Sequence, residues 1–78
     1  MKFRIVERAV EIDPKTNKVS VGYYPEYQEY DSSWINVGAI LEGFSVYEKT
    51  EKEARHLIDK FKIRCRVYNH PERIIEVE

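Results

Sequence analysis

One thiol and two imidazoles are the side chains best suited to nucleophilic or metal chemistry in this sequence: Cys65, His56 and His70. Cys65 alternates with Ile63 and Val67, which puts it on an apolar strand face. There a cysteine packs as a small hydrophobe and stays unreactive. Arg64 and Arg66, which could lower its pKa, alternate to the opposite face. The spacing of the three residues fits no zinc pattern, and neither Cys-x-x-Cys nor His-x-x-x-His occurs. Fourteen Asp and Glu residues guarantee carboxylate pairs somewhere, so such pairs decide nothing. There is no nucleophile elbow, P-loop or dinucleotide fingerprint, and the three glycines are scattered. The reading is non-enzymatic, with no cofactor and no metal.

Binding chemistry is better represented. Tyr23, Tyr24, Tyr27 and Tyr30 are interleaved with Glu26, Glu29 and Asp31, and Trp34 follows. Tyrosine offers a rigid apolar body with a polar tip, which suits interfaces. Tyr24, Tyr27, Tyr30 and Trp34 are therefore the expected anchors for a protein partner. The competing reading is that some of these rings roof a thin core, Trp34 among them. A second candidate surface is basic. Lys62, Arg64 and Arg66 share one face if the segment is a strand, Tyr68 follows, and Arg73 joins from a paired strand. Such a face could contact phosphates and stack on a base, giving nucleic-acid binding as the alternative function. The net charge of −1 weighs against it.

Size limits the choices. Seventy-eight residues make one domain, 1–78, with a thin core and little room for a deep catalytic cleft. Such a chain suits a binding surface, or a subunit that gains stability by self-association. With 42% apolar and 35% charged residues it has a folded composition. The single cysteine allows no internal disulfide and points to a reducing, cytoplasmic setting. The amino terminus shows no signal-peptide core, and no apolar run approaches membrane-spanning length.

The elements that position these residues read as follows. Lys2 to Ile12 is rich in β-branched residues and predicts a strand, with a bulge near Glu7 to reconcile its two apolar faces. Asp13-Pro14-Lys15-Thr16-Asn17-Lys18 is a turn, and Val19 to Tyr23 returns as the second strand of a hairpin. Pro25 should interrupt central pairing, so Tyr23 to Ser33 reads as a loop or ragged edge strand. Ser33 to Leu41 matches both periods. Gly38 and the β-branched residues tilt it to a strand, while the helix reading would use Gly43 as its stop. Phe44 to Tyr47 reads as a short strand. Thr50-Glu51-Lys52-Glu53 is a capping box, and Ala54, Leu57, Ile58 and Phe61 form one helical stripe. Phe61 to Val67 then alternates as a strand, and Arg73 to Glu78 should pair with it as a second hairpin.

Within this pattern, Trp34, Gly43-Phe44-Ser45-Val46-Tyr47, the Thr50-Glu51-Lys52-Glu53-Ala54 helix start and Lys62-Ile63-Arg64-Cys65-Arg66-Val67 resemble small accessory proteins of phages and other mobile elements. The similarity covers residues 33–68. It implies host interaction or anti-defence activity by stoichiometric binding, and assigns no functional residue. The expected fold is α+β: an antiparallel sheet of four to six strands with one helix, about 51–61, packed on one face and the other face open to a partner.

Overall fold

The turn chemistry at Asp13–Lys18 sets the architecture. The Asp13 carboxylate accepts the Lys15 backbone N–H at 2.8 Å, and Asn17 takes a left-handed conformation with φ of 55°. The chain therefore reverses into a long hairpin, β1 (Lys2–Ile12) against β2 (Val19–Gln28). The structure, a computed structural model, describes residues 1–77, and the side chain of Tyr68 lies outside the description with Glu78. The bulge falls between Ala9 and Glu11 rather than near Glu7. This keeps Phe3, Ile5 and Glu7 on one face of β1, and Arg4, Val6 and Arg8 on the other.

β2 is the central strand of the order β1-β2-β3, with the two-residue β3 (Ile35–Asn36) on its far side. Strand pairing thus runs straight through Pro25, against the expectation of a loop. The reason is parity. Tyr23 exchanges both backbone hydrogen bonds with Glu48 across the far edge of β2, each at 2.9 Å. Pro25, two residues on, turns the same way. Its position falls between the Glu48 bridge and β3, where no strand partner stands, so its missing N–H removes no ladder bond.

The ambiguous stretch uses both periods in turn. β3 gives way at once to α1 (Val37–Leu41), and Gly43 with φ of 84° ends it by donating its N–H to the Gly38 carbonyl at 3.1 Å. Asn36 makes the junction. Its Oδ1 accepts the N–H groups of Gly38 at 2.8 Å and Val46 at 3.0 Å, while its Nδ2 donates to the Val46 carbonyl at 2.9 Å. Residues 44–47 form no strand; only Glu48 bridges to Tyr23.

The largest departure is α2, which spans Glu51–Tyr68 instead of stopping near Phe61. Thr50 caps it, its hydroxyl accepting the Glu53 N–H at 3.2 Å. No Gly or Pro interrupts the segment before Pro71. Ala54, Ile58, Phe61 and Cys65 continue one helical stripe onto the sheet, and Leu57 is half-buried beside it. The strand-like alternation was a by-product: Ile63 and Val67 are 59% and 70% exposed. Among the described residues the second hairpin does not form: residues 71–77 have no regular structure, and Glu78, the last residue of the expected strand, lies outside the description. Among the described residues the fold is α+β, with three antiparallel strands rather than four to six and two helices rather than one.

The core lies between α2, α1 and one sheet face, built from Tyr27, Val37, Ile58 and Phe61, with Phe3 and Ile5 packed against it. The Phe61 ring lies 4.6 Å from Tyr27 and edge-on to Phe3 at 6.0 Å. Among the described residues, no helix is long and apolar enough to cross a membrane.

Candidate binding face

The sheet face away from α2 carries a row of alternating aromatic and charged side chains. Directly opposed residues in an antiparallel pair share a face. Arg4 opposes Glu26, Val6 opposes Tyr24, and Arg8 opposes Gly22. Glu26 is the buried charge at the centre, 7% exposed. Its carboxylate accepts from Arg4 Nε at 2.7 Å and from Arg8 Nη2 at 3.3 Å. Two guanidinium partners satisfy a carboxylate that could not otherwise be desolvated at low cost.

Each arginine also stacks on an aromatic ring. The Arg4 guanidinium lies 4.1 Å from the Trp34 ring centre, and that of Arg8 4.8 Å from the Tyr24 ring centre. Tyr47 closes the row, its ring 5.3 Å from Tyr24. Gly22 makes this possible, because a Cβ there would run into the Tyr47 ring. The sequence Trp34, Arg4, Glu26, Arg8, Tyr24, Tyr47 is one contiguous layer. Both arginine side chains remain close to half exposed, at 43% and 46%.

The expected aromatic anchors divide three ways. Tyr24 and Trp34 are half-buried members of this layer. Tyr27 is not available to a partner: it opposes Phe3 on the other face and is buried under Phe61. Burial, and then the nearby Glu29 and Cys65, raise its hydroxyl above the ordinary tyrosine value. Tyr30 stands alone at a turn, 93% exposed with φ of 53°. Ser32 closes that turn by donating its N–H and hydroxyl to the Glu29 carbonyl at 3.1 and 2.6 Å.

The basic candidates do not form one face. On a helix, positions 62, 64 and 66 are spread around the axis instead of aligned, since the period is 3.6 and not 2. Lys62 reaches over the Phe3 ring at 4.8 Å, Arg64 and Arg66 are exposed on other turns, and Arg73 lies in the irregular tail. Tyr68 falls in the last turn of α2, with its side chain outside the described residues. Cys65 is half-buried against the core, but on the helical stripe with Ile58 and Phe61 and not on a strand face with Ile63 and Val67, which are exposed. Among the described residues, no group of His, Cys, Asp and Glu is placed to hold a metal ion.

Sequence reasoning missed Arg4, Arg8, Glu26 and Tyr47. The four-residue spacing of Arg4 and Arg8 does place them on one strand face, but the opposing Glu26 is visible only once the hairpin register is known. Compared with known proteins, the chain matches no family, no curated protein and no solved structure.

Proposed function

We propose that this chain is a small non-enzymatic protein-binding module that acts by stoichiometric occlusion of its partner through the open sheet face. The observation that carries the reading is the layer of Trp34, Arg4, Arg8, Tyr24 and Tyr47 around the buried Glu26 carboxylate. Trp, Tyr and Arg are the residue types that dominate binding hot spots. Here the arginines are already held by Glu26 and stacked on rings, so docking orders few additional rotamers. The accessory-protein resemblance supplies the kind of partner: a host or defence protein, inhibited or modulated by one bound copy.

The test is affinity capture from the native host with the intact chain, followed by titration of the recovered protein. One partner at fixed stoichiometry is expected, with affinity reduced at least tenfold by Trp34→Ala and by Arg8→Ala. Undiminished binding by both variants would remove the sheet face from the interface.

A second reading, nucleic-acid binding, draws on one observation. Lys60 to Arg66 carries four cations and no acid on the outer turns of α2. If this half of the helix contacts phosphates, affinity for single- or double-stranded DNA or RNA falls steeply with salt, and Arg64→Ala with Arg66→Ala lowers the slope. Absence of binding at low salt eliminates it.

A further inference from the structure

β1 is an edge strand, and its outer side is bordered by an open groove rather than by solvent alone. The groove holds about 450 Å³ between Phe3, Arg4 and Ile5 on β1 and Arg55, Ile58 and Lys62 on α2. No β2 residue lines it, so it lies on the side of β1 away from the rest of the sheet. The helix forms the other wall of this groove, through Arg55, Ile58 and Lys62. Parity gives the hydrogen-bonding groups. The Tyr23 backbone faces the far edge of β2, so Tyr24, Glu26 and Gly22 face β1 and bond to Val6, Arg4 and Arg8. The N–H and C=O groups of Phe3, Ile5 and Glu7 therefore point outward into the groove.

Elsewhere in the chain a segment with a strand-like pattern is largely exposed. Ile74, Ile75 and Val77 in the carboxy-terminal tail are 83%, 70% and 90% exposed. The radius of gyration is 17.3 Å, against roughly 11–12 Å for a compact chain of this length.

We infer that the groove beside β1 receives the segment Glu72–Val77 of a second copy of this chain, as an antiparallel fourth strand. The register follows from chemistry. With Ile75 opposite Ile5, Val77 meets Phe3 on the helix side, extending the core. Glu76 meets Arg4 and Glu72 meets Arg8 on the open face, where both arginines have spare exposure. Arg73 meets Glu7, and Ile74 meets Val6. All six pairs are matched in charge or apolarity. The parallel register with the same acid–arginine pairs sets Arg73 against Ile5 and Ile75 against Glu7.

The antiparallel direction also selects the source. α2 starts beside Ile5, Glu7 and Tyr23 and passes Phe3 at Phe61, so it runs toward the Lys2 end of β1. From Phe61 it extends about 10 Å further to Tyr68, and Arg8 lies about 17 Å along β1 in the other direction. The chain from Tyr68 to Glu72 spans at most about 14 Å. A chain's own tail therefore cannot bring Glu72 to Arg8, whereas a second copy can. Reciprocal exchange fills two grooves with two tails, doubling the buried surface toward the roughly 1,200–2,000 Å² of stable complexes.

Light scattering of the full chain tests this, with a mass of twice 9.4 kDa expected. Ile75→Pro removes one of the inserted N–H groups at an exposed, irregular position. It should give a monomer with unchanged helical circular dichroism. In a Cys65→Ser background, Glu7→Cys with Arg73→Cys should form a disulfide between chains, since that pair is a hydrogen-bonded one about 5.5 Å apart. A wild-type monomer up to millimolar concentration overturns the inference. So does a dimer that survives Ile75→Pro, or a disulfide formed only within one chain.

Discussion

Arg4 joins two opposing demands: its Nε holds the buried Glu26 carboxylate at 2.7 Å while its guanidinium carbon lies 4.1 Å from the Trp34 ring centre. Trp34 is the only tryptophan, so this contact has its own spectroscopic reporter. Arg4→Ala should shift Trp34 emission to the red and reduce stability by about 1–2 kcal/mol. That sum combines an exposed cation–π contact with one lost charge-assisted hydrogen bond to a carboxylate that keeps Arg8. The figure is held low because Arg4 is 43% exposed and screened by water. Fluorescence spectra and urea melts of the variant check both.

Phe61 and Ile63 separate the helix from the alternative strand. Phe61 is 3% exposed and touches both Phe3 and Tyr27, whereas Ile63 is 59% exposed. Phe61→Ala should lose about 3–5 kcal/mol, a large share of what so small a domain has. Ile63→Ala should stay within about 0.5 kcal/mol if the protein is studied as a monomer. Comparable losses in thermal melts at the two sites would return this segment to a strand.

Asn36 is the clamp between the end of the sheet and the 44–47 segment. Asn36→Ala removes one N-cap acceptor and both bonds to Val46, and should lower stability by about 2–3 kcal/mol. Asn36→Asp keeps the acceptor and loses the donor to the Val46 carbonyl, so its loss should be smaller. Faster amide exchange at Gly38 and Val46 in the alanine variant locates the effect.

Alkaline stability depends on two tyrosines. Burial raises the Tyr27 hydroxyl above 10.0, and the hydrogen bond that Tyr23 donates to Glu7 at 3.0 Å raises that of Tyr23. Both groups thus hold their protons longer folded than unfolded. Their contribution is complete below pH 10 and is lost as the pH rises through the folded values, because there the native state binds more protons than the unfolded chain. Urea midpoints should therefore fall above about pH 10, and Tyr27→Phe should flatten that fall. An unchanged slope in Tyr27→Phe would falsify its burial as the cause.

Local chemistry made the hairpin, its Asp13–Lys18 turn, the Thr50 cap and the Ala54–Phe61 stripe legible in the sequence. These depend on neighbours a few residues apart. The length of α2 was not legible, because Phe61, Ile63, Cys65 and Val67 satisfy a strand period as well as a helix period supplies Phe61 and Cys65. Only the sheet, by accepting the stripe and rejecting Ile63 and Val67, distinguishes them. Of the three rings in the aromatic layer, Tyr24 and Trp34 were singled out from the sequence and Tyr47 was not. Arg4, Arg8 and Glu26 come together through a register that spans about twenty residues of hairpin, which no local pattern encodes.

Pro25 gives the sheet a direction of growth. On the far edge of β2 it places a ring where a new strand would need a donor, between two short stretches already bonded to Glu48 and β3. A row of hydrogen bonds cannot propagate along that side. The β1 side has no such block. The sheet is thus closed to strand addition at one margin and open at the other, so a further strand is directed to the β1 side.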